Sequence, residues 1–434
     1  MGRIRSVVVE AFRVVGGGQL VGAVRVPGAR NSALKLMAAT LMTEGRTTLV
    51  DVPDIVDVAE MAGLLRAFGC TVDRRPDRGV VVVDVPSRPV PPEDTARVRS
   101  VPASVSLLGP LLNRFGVAEV ALPAGEIAGA GGLEPHVRGL EDLGAEVTRA
   151  TDHLRAVAPR GLRGSRVRLD YPSAAATENL LLAAVLAEGT SVLENCAREP
   201  EVVDLCRMLR RMGARIDGVA TATLTVEGVE RLRAVEHRVV PDRIVAGTWA
   251  FAAAMTGGDV QVHNGEAGHL GLVLDKLTAS GAKVSEVKDG FRVEGPERPL
   301  AVDVATLPYP GFPTDLQPFV VALDAVAEGT AMITENLFAS RFSFARQITR
   351  LGARVSLDGH HALVRGVPRL AAAPVGATDI RSCAALVLAG LVADGETLVT
   401  GAGHVDRGYD RFERDLCALG ADVRRVTVPG PVRP

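Results

Sequence analysis

A glycine that closes an amphipathic segment recurs six times, at Gly69, Gly144, Gly213, Gly281, Gly352 and Gly420, with intervals of 75, 69, 68, 71 and 68 residues. Nothing else in the chain restricts its fold as tightly. A second glycine and a strand-like stretch precede several of these points: L-A-E-G-T-S-V-L-E-N leads to R-M-G-A-R-I, V-A-E-G-T-A-M-I-T-E-N to R-L-G-A-R-V, and V-A-D-G-E-T-L-V-T-G to A-L-G-A-D-V. A further copy runs from Ala38 through Glu44-Gly45, and weaker ones centre on Gly116 and Gly258. The period is too long for a solenoid rung and suits a small layered unit of helix, strand, helix and strand, in which a left-handed glycine ends the second helix. The expectation is an α/β (α+β) chain of six such units in two groups of three. The V-V-P-D stretch at 239 to 242 falls between the third and fourth copies and serves as a crossing between the halves.

Within this frame some charges stand where the pattern asks for apolar or neutral residues. Asp315, in G-F-P-T-D-L-Q at 311 to 317, lies fourteen residues before Gly329; at the same count Asn31 precedes Gly45, Arg381 precedes Gly395 and Ile244 precedes Gly258, with Arg30 and Arg243 adjoining. Leu316, Phe319, Val320 and Leu323 then make a helical apolar stripe, so this slot is the first turn of a buried helix. A cation there opposes the helix macrodipole at a cost of roughly 0.3 to 1 kcal/mol. Arg30, Arg243 and Arg381 therefore point to a shared bound anion. Arg341 breaks a second rule, because the equivalent positions in three other copies are Val58, Val202 and Tyr409. Arg407 stands just ahead of the last amphipathic helix, in H-V-D-R-G-Y. Arg30, Arg341, Arg381 and Arg407 offer planar guanidinium forks that match carboxylate and phosphate oxygens.

Several function classes drop out. A formal charge of -2 over 434 residues gives no bulk attraction for nucleic acid. Five scattered cysteines do not make a disulfide framework and fit a reducing cytoplasm. The opening M-G-R-I-R-S-V-V-V-E has no apolar signal core, and no apolar run of about 18 residues occurs. Neither export nor membrane insertion is expected. Gly16 to Gly18 are followed by no Walker lysine or dinucleotide spacing and are read as a hairpin turn. The histidines lack metal-ligand spacing, and no compact nucleophile motif is present. The chemistry expected is acid/base and electrostatic, with no metal and no cofactor.

With these motifs assembled, the chain resembles the enolpyruvyl transferases, and among them those whose acceptor is UDP-N-acetylglucosamine, over nearly its full length. The resemblance rests on G-A-R-N-S-A-L at 28 to 34, L-L-G-P-L at 107 to 111, A-R-E-P-E-V-V-D at 197 to 204, V-P-D-R-I at 240 to 244, F-P-T-D-L-Q at 312 to 317, T-E-N-L-F-A-S-R-F at 334 to 342, T-D-I-R-S at 378 to 382 and H-V-D-R-G-Y at 404 to 409. It implies a two-domain inside-out α/β barrel of six βαβαββ repeats, three per domain. Residues 30–240 would form the first domain and 1–29 plus 241–434 the second, with the active-site cleft between them. It also implies small-molecule partners only, phosphoenolpyruvate and a nucleotide or nucleotide sugar, and leaves the oligomeric state open.

The implied reaction adds an acceptor hydroxyl to phosphoenolpyruvate and then eliminates phosphate. By position, Asp315 matches the family's base, and Arg341, Arg381 and Arg407 match arginines that handle the donor. Asn31, Ser173 and Glu134 fall on the acceptor side. Arg30 replaces a phosphate-binding lysine, Pro102 and Gly131 replace arginines, and Tyr171 replaces a lysine of the uridine region. Arg99 and Arg138 are candidates to compensate. In the lid-like P-A-G-E-I-A-G-A-G-G-L-E-P-H at 123 to 136, Glu126 stands where the family carries a cysteine or aspartate. Glu126 could protonate the donor's methylene carbon if closure desolvates it, and the missing thiol implies resistance to alkylation by fosfomycin. Two alternatives follow from the departures: a specialised relative using another nucleotide acceptor, and a catalytically lapsed nucleotide-sugar-binding regulator.

Overall fold

The computed structural model describes residues 8–91, 98, 102–121 and 132–429. All six closing glycines lie in the left-handed region, with φ between +83° and +110°. At each, the chain leaves an outer helical segment and enters a strand, as in Pro200–Met212 followed by Arg215–Asp217. An L side chain resists that φ, so the sixfold period is a period of backbone conformation.

The chain divides into two compact units, Pro27–Pro241 and Met1–Val26 with Asp242–Pro434. Each has its own hydrophobic core. In the unit 27–241 the sheets are built on Gly45–Val50, Val117–Ala121 and Thr190–Glu194; in the other they are built on Asp259–His263, Thr330–Thr334 and Glu396–Thr400. Five of these six sheets share one pattern, a parallel edge strand followed by two antiparallel pairings.

Chain order and sheet order part company at three places. The parallel strand beside Gly45–Val50 is Glu236–Arg238, from the far end of the same unit. In the other unit, Val21–Arg25 lies parallel to Asp259–His263, and Val8–Val15 is inserted between Glu396–Thr400 and Asp422–Pro429. This corrects the hairpin expected at Gly16 to Gly18, since the strands on either side belong to different sheets. The glycines serve close packing instead: Gly16 N donates to Gly395 O and Gly17 N to Leu391 O, and a Cβ on Gly16 would meet Ala393 O at 1.8 Å.

Each repeat places an apolar helix inside and its sheet outside. In Gln317–Val326 and Ile380–Leu391 every residue is buried, and these two helices pack on each other and on Arg243–Thr256. A helix apolar all round has to be enclosed, whereas strands such as Val80–Val85 alternate buried and half-buried residues and cover it with one face. Helices within and sheets without is the inside-out arrangement expected. The fifth repeat departs from the expected continuous second helix: Ala339–Phe344 is a 3₁₀ segment, Ala345–Ile348 a single α-turn and Thr349–Leu351 again 3₁₀. Among the described residues no helix is long and apolar enough to cross a membrane.

Candidate active site

The slot fourteen residues before each repeat's first glycine is a helix start. Asn31, Ile244 and Arg381 are the second residues of Arg30–Thr40, Arg243–Thr256 and Ile380–Leu391. Asp315 sits in the 3₁₀ turn Thr314–Leu316, which feeds Gln317–Val326. In the unit containing 242–434 three of these helices meet, and their starts bring charged side chains together.

Asp315 is held from two sides. Arg341 Nη2 donates to Oδ1 at 2.8 Å, while Arg381 Nε and Nη2 donate to Oδ2 at 3.3 and 3.1 Å. The side chains are 24% exposed for Asp315, 17% for Arg341 and 4% for Arg381, so the cluster has a buried end and an open one. Arg381 lies 5.5 Å from the centroid of the Tyr409 ring, and Arg341 lies 5.1 Å from that of Phe338. Burial would lower the proton affinity of the Arg381 guanidinium, but Asp315, Tyr409 and Asp242 reverse this and hold it above its usual value. The Tyr409 hydroxyl also interacts with this guanidinium, whose Nη1 is buried. Burial raises the Tyr409 phenol. The Thr248 hydroxyl donates to Ile244 O at 2.8 Å, which leaves the Tyr409 hydroxyl to donate to Thr248 Oγ1, also at 2.8 Å.

Two of the helix starts are capped by acids. Asp379 accepts from Arg381 N and Ser382 N at 2.9 and 3.0 Å in a capping box, and Asp242 accepts from Ile244 N and Val245 N at 2.9 and 3.0 Å. Arg407 ends the 3₁₀ segment Ala402–Arg407, two residues before the Tyr409 ring that carries Arg381.

In the unit 27–241, Arg30 Nε and Nη2 both donate to Oδ2 of the buried Asp57, at 2.8 and 2.6 Å. Arg243 lies 5.6 Å from the Tyr309 ring centroid. The cations at helix starts thus have partners within the protein, two of them carboxylates, and a shared anion is not needed to explain them. The next turn is tied down as well. Ser32 Oγ donates to Asp204 Oδ2 at 2.5 Å, Val240 N donates to the same oxygen at 3.0 Å, and His237 Nε2 lies 2.7 Å from Oδ1. Asn31 stands between these two anchored residues, half-buried. Ser173 caps Ala174–Ala184 by accepting from Ala176 N at 3.3 Å, which leaves its hydroxyl hydrogen to donate.

Glu134 opens Glu134–Asp142 with both oxygens engaged, by Arg138 Nε at 3.0 Å and Arg149 Nη2 at 2.8 Å. Arg138, considered as a replacement cation, also pairs with Asp170 at 3.1 Å. Pro102 begins the 3₁₀ segment Pro102–Leu107, while Arg99, Glu126 and Gly131 lie outside the described residues. Among the described residues no group of three or more His, Cys, Asp or Glu side chains is placed to hold a metal.

Sequence reasoning did not assign Thr314 or Glu335 to the site. Arg341 Nε donates to Thr314 Oγ1 at 3.2 Å, and Thr314 Oγ1 in turn donates to Glu335 Oε2 at 2.9 Å. The signal was strand phase: Ala331 and Ile333 point inward along Thr330–Thr334, and Glu335 continues that alternation as a buried acid.

The cluster of one carboxylate and two guanidiniums sits in a chain with many relatives. The sequence model of EPSP synthase (3-phosphoshikimate 1-carboxyvinyltransferase) matches residues 14–416. The UDP-N-acetylglucosamine 1-carboxyvinyltransferase of Nocardia farcinica is 55% identical over 422 residues, covering 96% of this chain and 99% of that protein. The protein of the same name from Mycobacterium tuberculosis is 52% identical over 418 residues, with 96% and 99% covered. The crystal structure of the enolpyruvyl transferase NikO from Streptomyces tendae superposes with a TM-score of 0.88 at 27% identity, covering 97% of this chain and 100% of that one. EPSP synthase from Acinetobacter baumannii, at 18% identity and a TM-score of 0.75 over 96% of this chain and 100% of its own, shares the fold. On its full-length identity, its repeats and the match of the family model, this chain belongs to the EPSP synthase family of enolpyruvyl transferases.

Proposed function

We propose that this protein transfers the enolpyruvyl group of phosphoenolpyruvate to a hydroxyl of UDP-N-acetylglucosamine, with release of phosphate. The observation that carries the reading is Asp315 held between Arg341 and Arg381. The names of relatives 50 to 55% identical over nearly the whole chain support the acceptor. Asp315 takes the proton of the acceptor hydroxyl as its oxygen bonds to C2 of the donor, and a proton adds to the methylene carbon, a step assigned to Glu126. Loss of a proton from that carbon and cleavage of the C2–O bond to phosphate then complete the exchange. Arg381, Arg341 and Arg407 receive the donor's carboxylate and phosphate. Arg30 adds charge on the donor side, and Asn31, Ser173 and Glu134 are assigned to the acceptor.

Both substrates are charged metabolites, which supports a cytoplasmic location. The test is incubation with phosphoenolpyruvate and a panel of UDP-sugars and nucleoside monophosphates, following phosphate release and product mass. Turnover of UDP-N-acetylglucosamine to a product carrying the added enolpyruvyl group is the expected result. Turnover of another nucleotide alone would replace the acceptor, and binding without phosphate release would make the chain a lapsed relative.

A further inference from the structure

Glu335 is 2% exposed and accepts four hydrogen bonds, none of them from a cation. Oε1 receives Thr306 Oγ1 at 2.9 Å, Leu337 N at 2.8 Å and Phe338 N at 3.0 Å; Oε2 receives Thr314 Oγ1 at 2.9 Å. A buried acid with no partner charge costs stability unless hydrogen bonds satisfy its oxygens. Its partners indicate what it does. Thr314 has a single hydroxyl proton, given to Glu335, so its oxygen can meet Arg341 Nε only as an acceptor, as the 3.2 Å contact requires. Phe338, whose backbone N–H is fixed on the same carboxylate, supplies the ring 5.1 Å from the Arg341 guanidinium. Thr314 also directly precedes Asp315. One carboxylate therefore sets the acceptor, the aromatic platform and the adjoining turn that together aim Arg341.

We propose that Glu335 is a positioning residue that orients the donor-binding guanidinium of Arg341 through the hydroxyl of Thr314. The assignment rests on the function proposed above. Glu335→Gln keeps the volume but reverses one polarity: with the amide oxygen serving the three donors of Oε1, the amide N–H₂ faces Thr314, whose proton must then turn toward Arg341 Nε, itself a donor. The expected result is a rise of about tenfold in KM for phosphoenolpyruvate, the scale of one hydrogen bond to a charged group. The acceptor KM stays unchanged and kcat moves less than the donor KM. Thr314→Val reproduces this, Thr314→Ser restores wild-type behaviour, and the double variant Glu335→Gln/Thr314→Val is no worse than either single change, because both cut the same link.

An unchanged donor KM in both single variants overturns the assignment. So does a Thr314→Ser variant as impaired as Thr314→Val, or additive losses in the double variant. If the wild type releases no phosphate with any acceptor, the proposed function fails on its own. The positioning role is then read from calorimetric binding of phosphoenolpyruvate: a weakening of about tenfold in Glu335→Gln supports it, and equal affinity overturns it.

Discussion

The carboxylate of Asp315 occupies the two guanidiniums that a bound donor would use. Asp315, Arg341 and Arg381 restrain one another until a donor bearing its own carboxylate and phosphate competes for the arginines. Asp315→Asn separates the two roles. Losing the base should cut kcat about 10² to 10⁴-fold, the usual contribution of general acid–base catalysis. KM for phosphoenolpyruvate should not rise, since the arginines lose a competitor; steady-state kinetics with both substrates varied would check it, and a donor KM raised in step with the fall in kcat would refute it. Asp315, Arg341 and Arg381 were legible in the sequence because each breaks the rule of its repeat. Glu335 was not, because a buried acid at the end of a strand is visible only once strand phase is known. The same residue scale governs thiol chemistry. Burial pushes Cys70 and Cys196 up to about 11, and Cys206 and Cys383 up to about 12; Cys417 is the exposed cysteine. Because the resemblance puts Glu126 where the family carries a cysteine or aspartate, incubation with fosfomycin and phosphoenolpyruvate should leave activity intact, and intact-protein mass spectra should show no adduct linked to inactivation.

At the scale of elements, the turn carrying Asp315 is held by packing as well as by hydrogen bonds. Gly247, within Arg243–Thr256, lets that helix lie against Leu316: a Cβ there would meet Leu316 Cδ1 at 2.5 Å and Cδ2 at 3.2 Å. Leu316 is fully buried and has little room to retreat, so Gly247→Ala should cost about 1 to 3 kcal/mol through overpacking. It should also lower kcat by displacing the neighbouring Asp315. Gly390→Ala provides the comparison, because its Cβ would crowd Thr397 Cβ and Val14 Cγ1 at 3.2 Å, at the opposite end of the helix from Arg381. Thermal melts should fall for both variants and kcat only for Gly247→Ala. Helix Gln317–Val326 was readable from Phe319, Val320 and Leu323 at helical spacing inside an apolar run that follows the Pro-Thr-Asp stop. The breakage of the fifth repeat's outer helix into 3₁₀ and α segments was hidden, since apolar spacing constrains a face and says little about the pitch of the backbone behind it.

At the scale of the whole molecule, the repeats count six in sequence, but their closure does not follow chain order. Local patterns reveal period and strand phase, whereas pairing between residues more than two hundred apart leaves no local trace; that is why Val8–Val15 and Val21–Arg25 were read as one hairpin when they belong to two sheets. The two units accordingly differ in their dependence on the rest of the chain. Pro27–Pro241 is continuous, and its first sheet is completed by its own last strand, Glu236–Arg238. Residues 242–434 alone would lose an edge strand from one sheet and an interior strand from another. They would also lose the buried side chains Phe12, Val14, Leu20, Val24 and Val26. At about 1.5 to 3 kcal/mol for each of these side chains, the loss is on the order of 10 kcal/mol, comparable to the whole stability of a domain. A fragment spanning 27–241 should therefore show a cooperative thermal transition and dispersed amide resonances. A fragment spanning 242–434 should not, until residues 8–26 are supplied as a peptide or joined through a linker to its C-terminus, where Val8–Val15 already pairs with Asp422–Pro429. Cooperative folding of 242–434 without those residues would mean that the strand between Glu396–Thr400 and Asp422–Pro429 is dispensable, and that the repeat, not the complete three-sheet unit, is the unit of stability.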